Sequence, residues 1–581
     1  EIEKESGMDT SMHITGGVML ADTPERMDWL KMSHARGRYL GMDTELISAA
    51  EAKELLPILD EQYFVGAMWD ANEGHLDPSQ ITHAYLECAR KRGAETHRHS
   101  WVRDMNRASD GGWDLTVYDT QSEQDKATVH CEHVVNAGGL WAREVGRMVG
   151  LELPLLAMEH MYLLTEEISD VVDYNKSTGK QLMHAIDFGG EIYMRQEGNG
   201  LLLGTYEQGG KPWSQRQTPW DFGARLLTPD LERIADSLDI GFKHFPVFAE
   251  AGIKQVINGP FTFAPDGNPL LGPVRGLPGY WSACAVMAGL SQGGGVGLSL
   301  ANWITEGDPG FDIWGMDVSR YGDYATMAYT NEKVQENYSR RFRITFPNEF
   351  LDAGRSIATS PIYDRLAERN AVFGDGFGLE AALWFQKEGE QPVEEITFGR
   401  SNAWEQVRAE TLAVRSSVGM WETTGFSKFR FMGSGARRYL DRLLAGRIPN
   451  SGRMSLTPMT NPAGNLIGDL TVATLGAALG VADGPETTTT GGATGNVRHG
   501  EEFILFGSGI AERYYERWFD QHLPSDGSVR YETLGFEMAG LSIAGPNARA
   551  LLEKVTGADV SQNGMRFMSF TEINIGLAPV W

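Results

Sequence analysis

The alternation of apolar and polar positions switches repeatedly between a period of two and a period near 3.6. This predicts a chain of mixed strands and helices. Val18 to Leu20 reads as a strand after the Gly16-Gly17 turn, and Thr23 to Arg36 as a helix with a charged face. Ser48, three residues before Glu51, marks a capped helix start. Pro78 to Gly93 reads as a helix capped by Asp77 or Ser79. Leu153 to Thr165 alternates as a strand, which puts His160 on one face with Met158 and Tyr162. Glu191 to Glu207 reads as a hairpin around Glu197-Gly198-Asn199-Gly200.

The densest patterning runs from Ala251 to Gly307. A short strand, Ile253 to Ile257, gives way to an expected turn at Asn258-Gly259-Pro260. A second turn motif, Pro265-Asp266-Gly267, and a strand, Gly279 to Val286, follow. The run Gly293-Gly294-Gly295-Val296-Gly297 then leads into a helix expected from Leu298 to Glu306. Glycines at a strand-to-helix junction admit close approach of a ligand to the backbone, and a helix N-terminus favours electron-rich groups. The same run also suits plain helix–sheet packing. A comparable junction occurs upstream, where a strand from Cys131 to Val135 ends at Asn136-Ala137-Gly138-Gly139 and a helix opens at Leu140-Trp141.

Length changes the picture next, because 581 residues exceed what one hydrophobic core serves. The net charge of −27 argues against nucleic acid and against docking on anionic membranes. No apolar run approaches the ~20 residues that span a bilayer, so no membrane insertion is expected. Three cysteines, at 88, 131 and 284, form neither a CxxC pair nor a disulfide framework, which fits a reducing cytoplasm or mitochondrial matrix. The pairs His97/His99 and His130/His133 lack a matching Cys or carboxylate cluster, so no metal is expected. Both ends read as cut, with Glu at position 1 and a strand interrupted near Trp581.

The order of these pieces resembles the FAD-dependent amine oxidoreductases of the D-amino-acid-oxidase type, most nearly the dimethylglycine and sarcosine dehydrogenases. The resemblance rests on Ala137-Gly138-Gly139-Leu140-Trp141 and on the Ala251–Gly307 stretch. It implies that Ala137, Gly138, Gly139, Trp141, Gly259, Pro260, Pro265, Asp266, Gly267, Gly293, Gly294, Gly295 and Gly297 lie at or near FAD. It further implies that His160 and Tyr193 line the pocket for an N-methyl amine. A His near neutrality with a Tyr partner suits removal of the amine proton before hydride loss. No G-x-G-x-x-G follows a strand near the N-terminus, and no histidine matches a covalent flavin attachment.

From Thr359 the chain resembles the T-protein aminomethyltransferases. Gly425 to Gly433 and Asn461-Pro462-Ala463-Gly464-Asn465-Leu466-Ile467-Gly468-Asp469 carry this likeness, and Asp469 takes the folate-site position. Leu475 to Gly500 is Gly/Thr-rich and reads as a disordered loop.

The expected fold class is α/β and α+β: a D-amino-acid-oxidase-like FAD-dependent oxidoreductase domain followed by a T-protein-like folate-binding module. The expected division is 1–307 for the oxidoreductase (152–250 its substrate part), 308–358 for a central connector and 359–581 for an incomplete folate module. The activity implied is oxidative demethylation of dimethylglycine or sarcosine, with the one-carbon unit passed to tetrahydrofolate. Oxygen and an electron-transfer flavoprotein stay open as electron acceptors. The rival reading is a non-catalytic folate- or ligand-binding protein that keeps the fold.

Overall fold

The computed structural model describes residues 1–475 and 501–581. The Gly/Thr-rich stretch, apart from Leu475, lies outside the described residues.

A nine-stranded sheet carries the centre of the first half. Its spine is Leu156–Thr165, hydrogen-bonded to Gly200–Thr205 on one side and to the long strand Ile253–Phe263 on the other. Antiparallel neighbours continue through Ile192–Glu197 and His184–Asp187. Gly17–Ala21 then joins in parallel, beside Gly66–Asp70. Period two decides what each face of the spine meets. Met161 and Leu163 point into the main apolar core with Leu20, Met194 and Leu203. Met158 points the other way, into an aromatic cluster with Phe263 and Tyr338.

A smaller sheet joins Leu270–Pro273, Tyr280–Cys284 and Val134–Asn136, the last two in parallel. The helix Met327–Ser339, capped by Thr326, lays Thr330, Val334 and Tyr338 on one buried stripe at i, i+4, i+8. A five-stranded antiparallel sheet forms the core of the last third, with Ser427–Met432, Leu466–Thr474 and Phe503–Gly507 among its strands. That part is tied to the first by buried Arg517, which donates to both Asp317 oxygens at 2.9 and 2.7 Å.

Three expectations are corrected. Asn258-Gly259-Pro260 is no turn, since Ile253–Phe263 runs straight through it. Pro260 is tolerated where the strand pairs with Leu156–Thr165 along one edge only. The glycine run is not a loop before a helix, because the helix spans Gly289–Glu306 and contains all four glycines. The helix forms despite glycine's cost of ~1 kcal/mol per helical site, with Ser299 and Leu300 buried and Trp303 packed against Trp281. The C-terminal residues form a small hairpin, Ile573–Ile575 with Ala578–Val580.

Candidate active site

The site grows from one register. His160 faces Gly259 across one strand pair, and Tyr162 faces Gly204 across the other. Gly204 also pairs with Tyr193 on its far side. A Cβ at Gly204 would lie 2.1 Å from the Tyr193 ring, so only glycine lets that ring fold across the strand. Crossing it brings the Tyr193 hydroxyl to 2.9 Å from His160 Nε2. The two rings lie nearly parallel, 9° apart.

On its other nitrogen, His160 Nδ1 sits 3.0 Å from the Tyr338 hydroxyl. Tyr338 is fully buried and comes from the helix Met327–Ser339, 178 residues away in the chain. Gly210 makes room for it, since a Cβ there would stand 2.4 Å from the ring. Tyr338 donates to Glu207 Oε2 at 3.0 Å, and Arg233 Nε donates to Glu207 Oε1 at 2.9 Å. Arg233 continues to Glu159 at 3.0 Å, which also accepts from Asn258 at 2.9 Å. Tyr206 and Phe261 close the remaining sides of the imidazole, with centroids 4.8 and 5.3 Å from it.

Burial governs the electrostatics. It pushes the His160 imidazole down to about 4, with the Arg233 charge helping, so the ring is neutral at pH 7. Burial also pushes up the Tyr193 and Tyr338 hydroxyls, and raises Tyr206 to about 12. The Glu207 carboxyl is raised by burial, against the pull of Arg233. Arg233 is held above its usual range by its bond to Glu159 and both carboxylate charges, which overcome its own burial.

The fit to a flavin is testable on the glycines. A Cβ at Gly259, Gly293, Gly295 or Gly297 would enter open space, and the same holds for Gly289 at the helix start; Gly294 lies near the Tyr85 hydroxyl. Ala288, immediately before that helix, packs on the aromatic cluster that holds Tyr338. A helix N-terminus with open space at its glycines therefore abuts the aromatic cluster whose Tyr206, Phe261 and Tyr338 surround His160, which fits a flat, electron-rich group. Other expected contacts are engaged differently. Asp266 accepts two bonds from buried Arg320 at 2.8 and 2.9 Å, Gly267 follows it at φ +72°, and Pro265 is buried. Gly138 N–H donates to Asn136 Oδ1 at 3.0 Å, and a Cβ on Gly138 would press on Ala142. Ala137 and Gly139 complete that turn, and Trp141 Nε1 donates to the Pro219 carbonyl at 2.9 Å. Arg195, on the same strand as Tyr193, pairs with Glu197 at 2.5 Å.

Asp469 lies on a different sheet, exposed on the strand Leu466–Thr474 opposite Pro458. The structure thus brings His160 and Tyr193 together and leaves Asp469 apart from them. Sequence reasoning missed Tyr338, Glu207 and Arg233. Only a Glu at the end of the hairpin and a Tyr in a helix read as connector were visible.

The class follows from fold and comparison together. The chain belongs to the FAD dependent oxidoreductase family, whose model matches residues 1–303. The FAD dependent oxidoreductase central domain matches 306–360, and the GCVT N-terminal domain matches 362–481 and 494–581. Among curated relatives, mitochondrial dimethylglycine dehydrogenase of Homo sapiens is 32% identical over 587 residues, covering 100% of this chain and 64% of that protein. Mitochondrial sarcosine dehydrogenase of Homo sapiens is 27% identical, covering 98% of this chain and 62% of its own length. The chain thus spans a little under two thirds of these relatives. Among solved structures, L-proline dehydrogenase from P. horikoshii is 23% identical with a TM-score of 0.47, over 55% of this chain and 79% of that one.

Proposed function

We propose that this chain carries out flavin-dependent oxidative demethylation of an N-methyl glycine-type amine, dimethylglycine or sarcosine, and passes the one-carbon unit to tetrahydrofolate. The observation that carries the reading is the His160–Tyr193 pair, 2.9 Å apart, in an aromatic pocket beside the uncovered start of a glycine-rich helix. The names of the similar dehydrogenases support the substrate class.

Bound FAD would supply the hydride acceptor. Gly259 and the backbone at Gly289 to Gly297 would hold it, and His160, Tyr193 and Tyr206 would face the amine. Hydride loss from the N-methyl carbon requires a free nitrogen lone pair. The desolvation that keeps His160 neutral also disfavours an ammonium in the same pocket. A ring titrating near 4 is too weak a base to take the proton of an alkylammonium, which corrects the expectation that His160 removes it; the amine leaves its proton to solvent and enters neutral. Tyr193, His160 and the ring of Tyr206 shape the pocket that receives it, with both His160 nitrogens held by the Tyr193 and Tyr338 hydroxyls. The oxidoreductase part is assigned to 1–307, the connector to 308–358 and the folate part to 359–581. There Asp469, exposed on the strand Leu466–Thr474 that follows the turn Asn461–Asn465, would hydrogen-bond the pterin or poise its nitrogen, as the T-protein resemblance implies.

The test is reduction of the FAD-loaded chain. Anaerobic dimethylglycine or sarcosine should bleach the flavin band, and His160→Ala should slow the bleaching by about 10²-fold or more. Bleaching by neither amine overturns the reading.

A further inference from the structure

The network around His160 has a direction that the distances alone do not state, and it follows from which atoms can donate. Glu207 is held by Arg233 and is an acceptor only when ionised. The single Tyr338 proton is therefore committed to Glu207 Oε2, at 3.0 Å. With its proton spent there, Tyr338 Oη can meet His160 Nδ1, at 3.0 Å, only as an acceptor. Nδ1 must then carry the hydrogen. A neutral imidazole has one N–H, so Nε2 is left with its lone pair and accepts from the Tyr193 hydroxyl at 2.9 Å.

We propose that Tyr338, Glu207 and Arg233 are positioning residues that lock His160 in the Nδ1–H tautomer, so that its Nε2 lone pair is presented to Tyr193 and the amine pocket. Every member is enclosed by protein. Tyr338 and Glu207 are buried, Arg233 keeps only 9% of its side chain exposed, and Thr205 adds a bond to Glu207 at 3.3 Å. In such surroundings a misdirected hydrogen bond leaves a buried donor or acceptor unsatisfied, with its full desolvation penalty unrelieved. That is enough to hold one tautomer against the other. The lock spans two parts of the chain, because Tyr338 lies beyond residues 1–303, in the segment matched by the central domain. The middle segment thus completes a site in which His160 and Tyr193 sit on the nine-stranded sheet, Glu207 lies just past the strand Gly200–Thr205 and Arg233 comes from the short helix Glu232–Ile234.

The role of the lock in amine oxidation rests on the function proposed above, but the tautomer itself does not, so the two are tested apart. The chain is labelled with 15N-histidine, and long-range 1H–15N correlations report which ring nitrogen is protonated. The His160 signals are assigned by their loss in His160→Asn. The wild-type chain should show a protonated Nδ1 and an unprotonated Nε2. Glu207→Gln allows the Tyr338 hydroxyl to turn, and should convert His160 to a mixture of tautomers. Should Glu207→Gln fail to fold with Arg233 left unpaired, Tyr338→Phe serves instead. It keeps the ring packed on Phe263 and Tyr206 while removing the acceptor, and it should also release the tautomer. A wild-type Nε2–H tautomer overturns the proposal, as does an unchanged tautomer in the folded variants. Failure of amine to bleach the flavin would overturn the functional reading and leave the tautomer result standing.

Discussion

At the scale of residues, the fate of His160 is set by burial before any partner is counted. Its imidazole titrates near 4 when folded and near 6.5 when unfolded. Between those values the unfolded chain binds the extra proton, so this group lowers stability as pH falls from 6.5 towards 4 and adds nothing above 6.5. His160→Asn should therefore flatten the loss of Tm across that window relative to wild type. Melting both proteins at matched pH values checks this, and His75, depressed similarly by its own burial, is common to both. Gly204 is the second residue of consequence. Gly204→Ala forces the Tyr193 ring off its position and should destabilise by about 1–3 kcal/mol through overpacking. Denaturant unfolding measures it, and a neutral result would mean that the ring has room to move.

At the scale of elements, local signals were readable in the sequence and long-range ones were not. Ser48 and Glu51 form a reciprocal capping box, and Asp77 rather than Ser79 caps the helix from Pro78. The hairpin from Ile192 to Thr205 stands where its Gly198-Asn199 turn placed it. Each of these depends on groups a few residues apart. The glycine run was misread because glycine's poor helix propensity is a local fact, whereas the helix forms by packing against distant strands. Tyr338 was opaque for the same reason, since it meets Glu207 across 131 residues and His160 across 178. His160 and Tyr193 were legible only through family resemblance. No periodicity distinguishes a pocket histidine from one on any sheet. The elements that join the two halves carry a prediction of their own. Asp317 and Arg517 are buried and doubly bonded, so Arg517→Ala strands a buried carboxylate and should cost about 3–5 kcal/mol. Calorimetry would show this as a clear fall in Tm. A change within error would mean that water reaches Asp317.

At the scale of the whole molecule, a sheet-borne histidine, a tyrosine folded across a glycine and a tyrosine from the middle segment converge beside the start of a glycine-rich helix. No described helix is long and apolar enough to cross a membrane. The net charge of −27 keeps the surface acidic, while the buried cation behind His160, Arg233, is paired with Glu207 and Glu159. The most direct measurement is the visible spectrum of the FAD-loaded chain during anaerobic titration with dimethylglycine and then sarcosine. The account predicts loss of the oxidised flavin band with at least one of them, slowed by about 10²-fold or more in His160→Ala. A spectrum unchanged by both amines, or an equal rate without His160, would contradict it.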